Sequence, residues 1–225
     1  MSEQAVTGRP VRRQEIHIGV GTRALAGMLS IPEAARGIVI FAHGSGSSRL
    51  SPRNQAVARR LEAERFATFL MDLLDPAEER DRRNVFDVEL LAGRLLAAGD
   101  WVAAEPATRA LPVGYFGAST GAAAALIAAA RRGERVRAVV SRGGRPDLAG
   151  PWLPSVVSPT LLIVGGADHQ VIELNEAALA ELRCVKQLVI VPGAGHLFEE
   201  PGALERVADL AADWFAGHIP AARRT

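Results

Sequence analysis

The sequence predicts an α/β protein with a doubly wound, mostly parallel sheet. Short, nearly continuous apolar runs bounded by turn residues recur along the chain, and segments with helical spacing lie between them. Continuous apolarity indicates strands that are covered on both faces, as in a parallel sheet between helices. Repeated strand–helix alternation implies right-handed crossovers. The length of 225 residues fits one domain covering residues 1–225.

The N-terminal part has a different pattern. Residues 15–20 (EIHIGV) and 23–31 (RALAGMLSI) alternate polar and apolar side chains, and Gly21 lies between them. This pattern predicts an antiparallel hairpin at the edge of the sheet. The segment 1–13 lacks the apolar core of a signal peptide, and we expect it to be a loose N-terminal segment.

The remaining strands and helices follow from their periodicity. Apolar runs predict six further strands, at 37–43, 67–73, 113–118, 136–141, 160–166 and 186–193. Helical spacing of apolar residues predicts five helices, at 52–65, 87–104, 120–131, 171–183 and 203–215. The charge-rich segment 76–83 is expected to be a solvated surface loop.

Composition excludes several function classes. The chain has 26 Lys and Arg against 25 Asp and Glu, so no basic field exists to hold a nucleic acid. The longest apolar run, 122–130, is far shorter than the roughly 20 residues that span a bilayer, and we expect no membrane partner. The single cysteine, Cys184, cannot form an internal disulfide, which fits a cytoplasmic location. No metal-ligand spacing occurs, so no metal or cofactor is expected.

A G-x-S-x-G motif lies between a predicted strand and a predicted helix. Gly117 and Gly121 flank Ser119 at the spacing of a nucleophile elbow. In such an elbow the serine occupies a sharp turn, and its neighbours must be tiny because strand and helix approach closely. The alternative is a tight turn whose small residues serve only packing.

An acid and a histidine follow the serine at the ends of later strands. Asp168 comes after the run TLLIVGG, and His196 comes after QLVIVPG. The order Ser, Asp, His is that of a hydrolase triad, in which the carboxylate orients the imidazole and the imidazole acts as base. Asp147 is the rival acid. A helix cap for Asp168 and a loop position without a role for His196 are the alternatives.

The first parallel strand is followed by a glycine-rich loop, 43–49 (HGSGSSR). Such a loop can aim a backbone N–H at a developing oxyanion, and the residue after the nucleophile supplies a second N–H. We assign these two donors to Ser45 and Thr120. The competing interpretation is a dinucleotide fingerprint, but Arg49 stands where its third small residue would be.

Five segments together resemble a known family: HGSGSSR (43–49), GASTG (117–121), SRGGRPDLA (141–149), GGADHQV (165–171) and GAGHLF (193–198). They are similar to the dienelactone-hydrolase-related branch of the α/β-hydrolase superfamily. The resemblance implies an α/β-hydrolase fold with Ser119 as nucleophile, Asp168 as acid and His196 as base, and a loop at 43–45 that supplies one oxyanion donor. Dienelactone hydrolases carry a cysteine nucleophile, so Ser119 points instead to a general ester hydrolase.

The expected substrate pocket is small. Where related lipases insert a cap domain, this chain has only about 17 residues, 142–158, which are too few for an independent lid. Small soluble esters or lactones are therefore favoured over lipids. The residues expected to form the pocket wall are His43, Gly44, Trp152, Leu197 and Phe198. Trp152 could equally close its loop against the core.

The function expected from these residues is hydrolysis of a small-molecule ester or lactone through an acyl-enzyme. An acyltransferase, a peptidase or a carbon–carbon-bond hydrolase could use the same triad. A binding protein that kept the fold and lost catalysis is the alternative from another class. The expected assembly is a monomer or a homodimer.

Overall fold

The structure, a computed structural model, describes residues 10–219 and contains one eight-stranded sheet in the order β1-β2-β4-β3-β5-β6-β7-β8. The strands are β1 (Val11–Val20), β2 (Arg23–Pro32), β3 (Gly37–Ala42), β4 (Phe66–Met71), β5 (Val113–Ala118), β6 (Val136–Arg142), β7 (Thr160–Gly165) and β8 (Lys186–Val191). β2 pairs antiparallel with β1 and β4, and every pair from β4 to β8 is parallel. The predicted fold class is confirmed.

The helices cover both faces of the sheet, as the continuous apolarity of the strands requires. They are α1 (Pro52–Ala63), α2 (Arg82–Phe86), α3 (Val88–Ala104), α4 (Thr120–Arg132), α5 (His169–Glu181) and α6 (Ala203–His218). Helices α1 and α6 bury one face together with residues such as Phe41, Phe66 and Phe215. The core on the other face includes residues of α3, α4 and α5. Strands β3 to β7 are buried on both sides, apart from Val113 and Arg137.

The predicted N-terminal hairpin is present and is longer than expected. Strand β1 begins at Val11, which pairs with Pro32, and the turn uses Gly21 at φ 61°. Residues 11–13, expected to be loose, are therefore part of the sheet, because the polar–apolar alternation of β2 extends far enough to pair with them. Residues 1–9 of that expected segment lie outside the described residues.

The charged segment 76–83 is not a plain surface loop. It forms a 3-10 turn at Glu78–Arg80, and Glu78 is buried. The Glu78 carboxylate accepts a hydrogen bond from Arg94 of α3 at 2.6 Å, and both side chains are about nine-tenths buried. A buried ion pair of this kind fixes the path of the chain, because removing one partner would leave the other charge uncompensated.

No helix within residues 10–219 combines the length and the hydropathy needed to cross a bilayer. Helix α4, rich in alanine, instead fills the interior. Its residues from Thr120 to Ala129 are all buried, and their small side chains let the helix lie close to the sheet.

Close packing between β5 and α6 gives a stability prediction. A Cβ on Gly114 would lie 2.7 Å from the Phe215 ring and 3.0 Å from Ile219 Cδ1. We expect Gly114→Ala to lower the free energy of unfolding by about 1–3 kcal/mol, because the core must shift to admit the methyl group. Urea denaturation measures the change.

Gly93 in α3 is the matched control, because a Cβ there meets no atom within 4 Å. Gly93→Ala should raise the free energy of unfolding by about 0.5–1 kcal/mol through helix propensity. Equal effects of the two substitutions would contradict the packing argument.

Candidate active site

Ser119 lies at a sharp turn between β5 and α4. Its backbone has φ 51° and ψ −124°, a conformation that L residues rarely adopt and that costs on the order of 1–3 kcal/mol. The glycines at each side have packing reasons. A Cβ on Gly117 would lie 2.5 Å from Ala122 Cα, and one on Gly121 would lie 2.2 Å from the Ala42 carbonyl oxygen. The motif therefore forms the strand–turn–helix geometry of a nucleophile elbow.

The backbone of Ser119 is anchored to the end of the neighbouring strand β6. Its N–H donates to the carbonyl oxygen of Arg142 at 3.4 Å, and its carbonyl accepts from the Arg145 N–H at 3.0 Å. These bonds hold the strained turn from both sides. The surrounding structure thus determines a conformation that the local sequence would not choose alone.

The structure brings Asp168 and His196 together. His196 Nδ1 lies 2.7 Å from Asp168 Oδ2, and since a carboxylate can only accept, the imidazole donates from Nδ1 and leaves Nε2 as an acceptor. The loops that carry the two residues are joined by a hydrogen bond from Ala167 N–H to Ala194 O at 2.9 Å. The rival acid, Asp147, instead accepts two hydrogen bonds from Arg145, at 2.7 and 2.8 Å.

No hydrogen bond between the Ser119 hydroxyl and His196 is among those of residues 10–219. Both residues flank the segment 142–143: the Ser119 N–H donates to the Arg142 carbonyl oxygen, and Gly143 is the next residue. A Cβ on Gly143 would lie 3.0 Å from His196 O and 3.7 Å from its ring carbon Cε1. Catalytic hydrogen bonds are often long in ligand-free enzymes and shorten when substrate binds.

The loop after β3 lies directly against the serine. A Cβ on Gly44 would lie 2.7 Å from Ser119 Cβ, so only glycine allows this approach. His43 Nδ1 lies 3.0 Å from the Gly44 carbonyl oxygen. Because a trans peptide points its C=O and N–H in opposite directions, this bond turns the N–H of Ser45 away from the His43 ring.

The protonation state of His43 follows from its partners. Its Nε2 accepts the backbone N–H of Leu73 at 3.0 Å, so the single ring proton resides on Nδ1 and is donated to Gly44. Burial lowers the pKa of His43 below its ordinary value of 6.5. A neutral imidazole therefore links the ends of β3 and β4 and fixes the loop beside Ser119.

A cavity of about 250 Å³ opens beside this loop. Ser45 and Thr120, the residues assigned as oxyanion donors, both line it, as do His43 and Gly44. The rest of the lining comes from Gly46 of the same loop and from the region between the end of β4 and the start of α3: Leu74, Glu79, Arg82, Val85, Phe86 and Leu91. This wall was not predicted, because the charged pattern of segment 76–83 indicates an exposed loop.

Three residues expected in the pocket wall, Trp152, Leu197 and Phe198, are not among the residues that line this cavity. The indole N–H of Trp152 donates to Glu89 at 2.8 Å, and the Arg131 guanidinium stacks over the ring at 4.6 Å, so the side chain closes its loop against α3 and α4. Leu197 is 42% exposed. Phe198, with φ 56°, is buried in the apolar cluster beside α6. The Phe198 side chain is directed into the core by the loop between β8 and α6, so it does not face the cavity.

The residues that support the elbow just after the end of β6 were not predicted from the sequence. A Cβ on Gly144 would lie 2.0 Å from Ser141 Oγ, and the Gly144 carbonyl accepts a hydrogen bond from buried Asn175 of α5 at 3.0 Å. The adjacent glycines in SRGGR were the available signal. For Asn175, the available signal was a polar residue at a position of the helix where the spacing of apolar residues predicts a buried side chain.

Metal ligation finds no support in the described part of the chain, where no group of three or more His, Cys, Asp or Glu side chains is close enough to hold an ion. The chemistry available at the site is that of a hydroxyl, an imidazole–carboxylate pair and backbone N–H groups.

Comparison with known proteins identifies the family and the fold. The model of the dienelactone hydrolase family matches residues 25–216. The chain belongs to the dienelactone hydrolase family. A crystal structure of a dienelactone hydrolase from Anabaena variabilis is 56% identical, superposes with a TM-score of 0.91, and is matched over 93% of this chain and 99% of that one. The sequence resemblance and the α/β-hydrolase fold are confirmed.

Two further proteins are similar to this chain in fold or in sequence. Est1E from Butyrivibrio proteoclasticus shares the fold at 17% identity, with a TM-score of 0.78 over 91% of this chain and 98% of its own. A Mycobacterium tuberculosis protein provisionally named a phosphoribosyl transferase is 60% identical over 215 residues, which is 96% of this chain and 48% of that protein. The chain thus spans about half the length of this curated relative.

The neutral state of His43 predicts a pH dependence of stability. Because the folded pKa is lowered, the unfolded chain binds the proton first as pH falls below about 6.5, and the free energy of unfolding declines until the folded pKa is reached. His43→Gln should flatten this decline between pH 7.5 and 5, by up to about 1.4 kcal/mol per pH unit. Urea denaturation at a series of pH values measures it.

His17→Gln, which removes an exposed imidazole on β1, is the matched control. If wild type and His43→Gln lose stability in parallel as pH falls, the buried imidazole is not the titrating group.

Proposed function

We propose that the chain is a serine hydrolase that cleaves small carboxylic esters or lactones through an acyl-enzyme. The observation that carries the proposal is the 2.7 Å bond between Asp168 and His196 Nδ1, which leaves Nε2 free to act as a base. Ser119 lies on a strained turn at the same edge of the sheet. Membership of the dienelactone hydrolase family supports hydrolase chemistry.

In the first half-reaction His196 Nε2 takes the hydroxyl proton of Ser119 as its oxygen attacks the ester carbonyl. The backbone N–H groups of Ser45 and Thr120 stabilise the resulting oxyanion, and Asp168 stabilises the imidazolium. The imidazolium then gives its proton to the leaving alkoxide, and an acyl-serine remains. Water, deprotonated by His196, attacks the acyl-serine, and the acid is released as Ser119 regains its proton.

The size and lining of the cavity support a small substrate. About 250 Å³ lies at the low end of small-molecule pockets, and Leu74, Val85 and Leu91 give it an apolar wall. Glu79 and Arg82 add charges to the same lining. We propose an ester or lactone with a short apolar part that occupies this wall while its carbonyl lies at Ser119.

The name of the M. tuberculosis relative raises phosphoribosyl transfer as a rival function. That name describes a protein of which this chain matches 48%. We propose that hydrolysis, not phosphoribosyl transfer, belongs to the part shared with this chain, because the shared part carries the Ser119 turn and the His196–Asp168 pair. Incubation with phosphoribosyl pyrophosphate and a set of nucleobases should release no pyrophosphate above the background rate.

Acyl transfer, peptide cleavage, carbon–carbon-bond hydrolysis and a purely binding role are the other candidates on this fold. An added alcohol that competes with water for the acyl-enzyme separates transfer from hydrolysis by the ratio of new ester to free acid. A fluorophosphonate probe separates an activated serine from an inert one, since only the former is labelled.

Replacing the nucleophile is the direct test. We expect Ser119→Ala to lower kcat/KM for p-nitrophenyl acetate by about 10³-fold or more, because no acyl-enzyme can form. The exposed Ser155→Ala is the matched control and should behave as wild type. Unchanged ester cleavage by Ser119→Ala would refute the proposal.

The two candidate acids can be compared with one pair of variants. Asp168→Asn should lower kcat by about 10²–10⁴-fold, because the amide no longer holds His196 in the required tautomer. Asp147→Asn should leave kcat near wild type, since Asp147 accepts from Arg145 instead. The reverse order of effects would assign the acid to Asp147.

A further inference from the structure

Arg142, the last residue of β6, is a buried cation that has no counter-charge among residues 10–219. The residue is 8% exposed. Its Nε and Nη1 atoms have no hydrogen-bond partner among residues 10–219, and its Nη2 makes one long bond of 3.4 Å to Asn54 Oδ1. Burial and the nearby Arg53 lower the pKa of Arg142 to about 10, which leaves the guanidinium charged at neutral pH. An unpaired buried charge is costly, so a compensating anion is expected.

The surroundings of Arg142 are electropositive. The Asn54 amide that it contacts is in the first turn of α1, a 12-residue helix capped by Ser51, and helix N-termini favour negative charge. Arg53, in the same turn, has an Nε that is also buried without a partner in the described chain. Its Nη1 is bound to Glu199 at 3.1 Å, but that carboxylate is 66% exposed. Among the described residues, Arg53 thus has one solvated carboxylate as its partner, and Arg142 has none.

We propose that Arg142, Arg53 and the first turn of α1 form a binding site for a small anion. The free donors Nε and Nη1 of Arg142 would bind it, and the helix N-terminus would add its positive end. The low exposure of Arg142 favours a small ligand, such as a halide ion or a single carboxylate group. This site is separate from hydrolysis at Ser119, although the Arg142 carbonyl accepts the Ser119 N–H and the bound anion would steady that strand end.

Thermal unfolding tests the site without any use of catalysis, so its failure and the failure of the proposed hydrolase are distinguishable. The melting temperature is measured in a chloride-free HEPES buffer at constant ionic strength while chloride or acetate is added. Wild type should show a rise of about 5–10 °C at a hundred times the dissociation constant, and the rise should continue with the logarithm of the anion concentration. If acetate raises the melting temperature more than chloride does, the ligand is a carboxylate. If chloride raises it at least as much as acetate does, the ligand is a halide ion from the solvent.

The variants assign the effect to Arg142. Arg142→Met should show no rise in melting temperature with added anion, and it should be at least as stable as wild type without added anion, because the uncompensated charge is gone. Arg137→Met replaces an exposed arginine on the same strand and should respond as wild type does. An equal rise in Arg142→Met and wild type, or no rise in wild type at constant ionic strength, overturns the proposal.

Anion binding can also be observed directly in crystals of the wild-type protein, so the test does not require any variant to fold. A bromide soak should place an anomalous peak within about 3.5 Å of the Arg142 guanidinium. No peak there at saturating bromide overturns the halide form of the site, and acetate in the melting experiment then decides whether a carboxylate occupies it.

Discussion

The close approach of α4 to β3 is the constraint on which the rest of the site depends. Gly121 lies so near the end of β3 that a Cβ would be 2.2 Å from the Ala42 carbonyl oxygen. The helix can therefore begin immediately after Ser119, and the serine must take a positive φ to join strand to helix. The loop after β3 then contacts the serine so closely that residue 44 has no room for a Cβ and must be glycine. Steric contact, and no special property of the serine itself, sets the geometry of the turn.

Hydrogen bonds complete what packing begins. The strained turn is held through the backbone of Arg142 and Arg145, and the β3 loop is held by the buried imidazole of His43. The imidazole of His196 is oriented by Asp168 from a separate loop. Each reactive group is thus positioned by a neighbour on a different strand, as expected where the carboxyl ends of parallel strands meet.

Charge is distributed unevenly around this centre. Most buried or half-buried arginines have carboxylate partners, as Arg94 has Glu78 and Arg49 has Asp72. Arg142 differs, although its own backbone helps to anchor the serine. A buried cation at such a place is tolerated more easily if an anion from outside the chain compensates it, whereas the paired arginines need no such anion.

The amino-acid sequence determined the fold class, the presence of the hairpin and the approximate positions of the strands, because burial on both faces produces continuous apolar runs and these are local patterns. It also indicated Ser119, Asp168 and His196, since each follows a strand whose end lies at the same sheet edge. Only the tertiary structure decided that Asp168 and not Asp147 contacts His196, and that the cavity wall comes from 74–91 and not from Trp152. It also decided that Arg142 is buried unpaired. Such outcomes depend on which distant side chains meet, and periodicity along the chain carries no information about that.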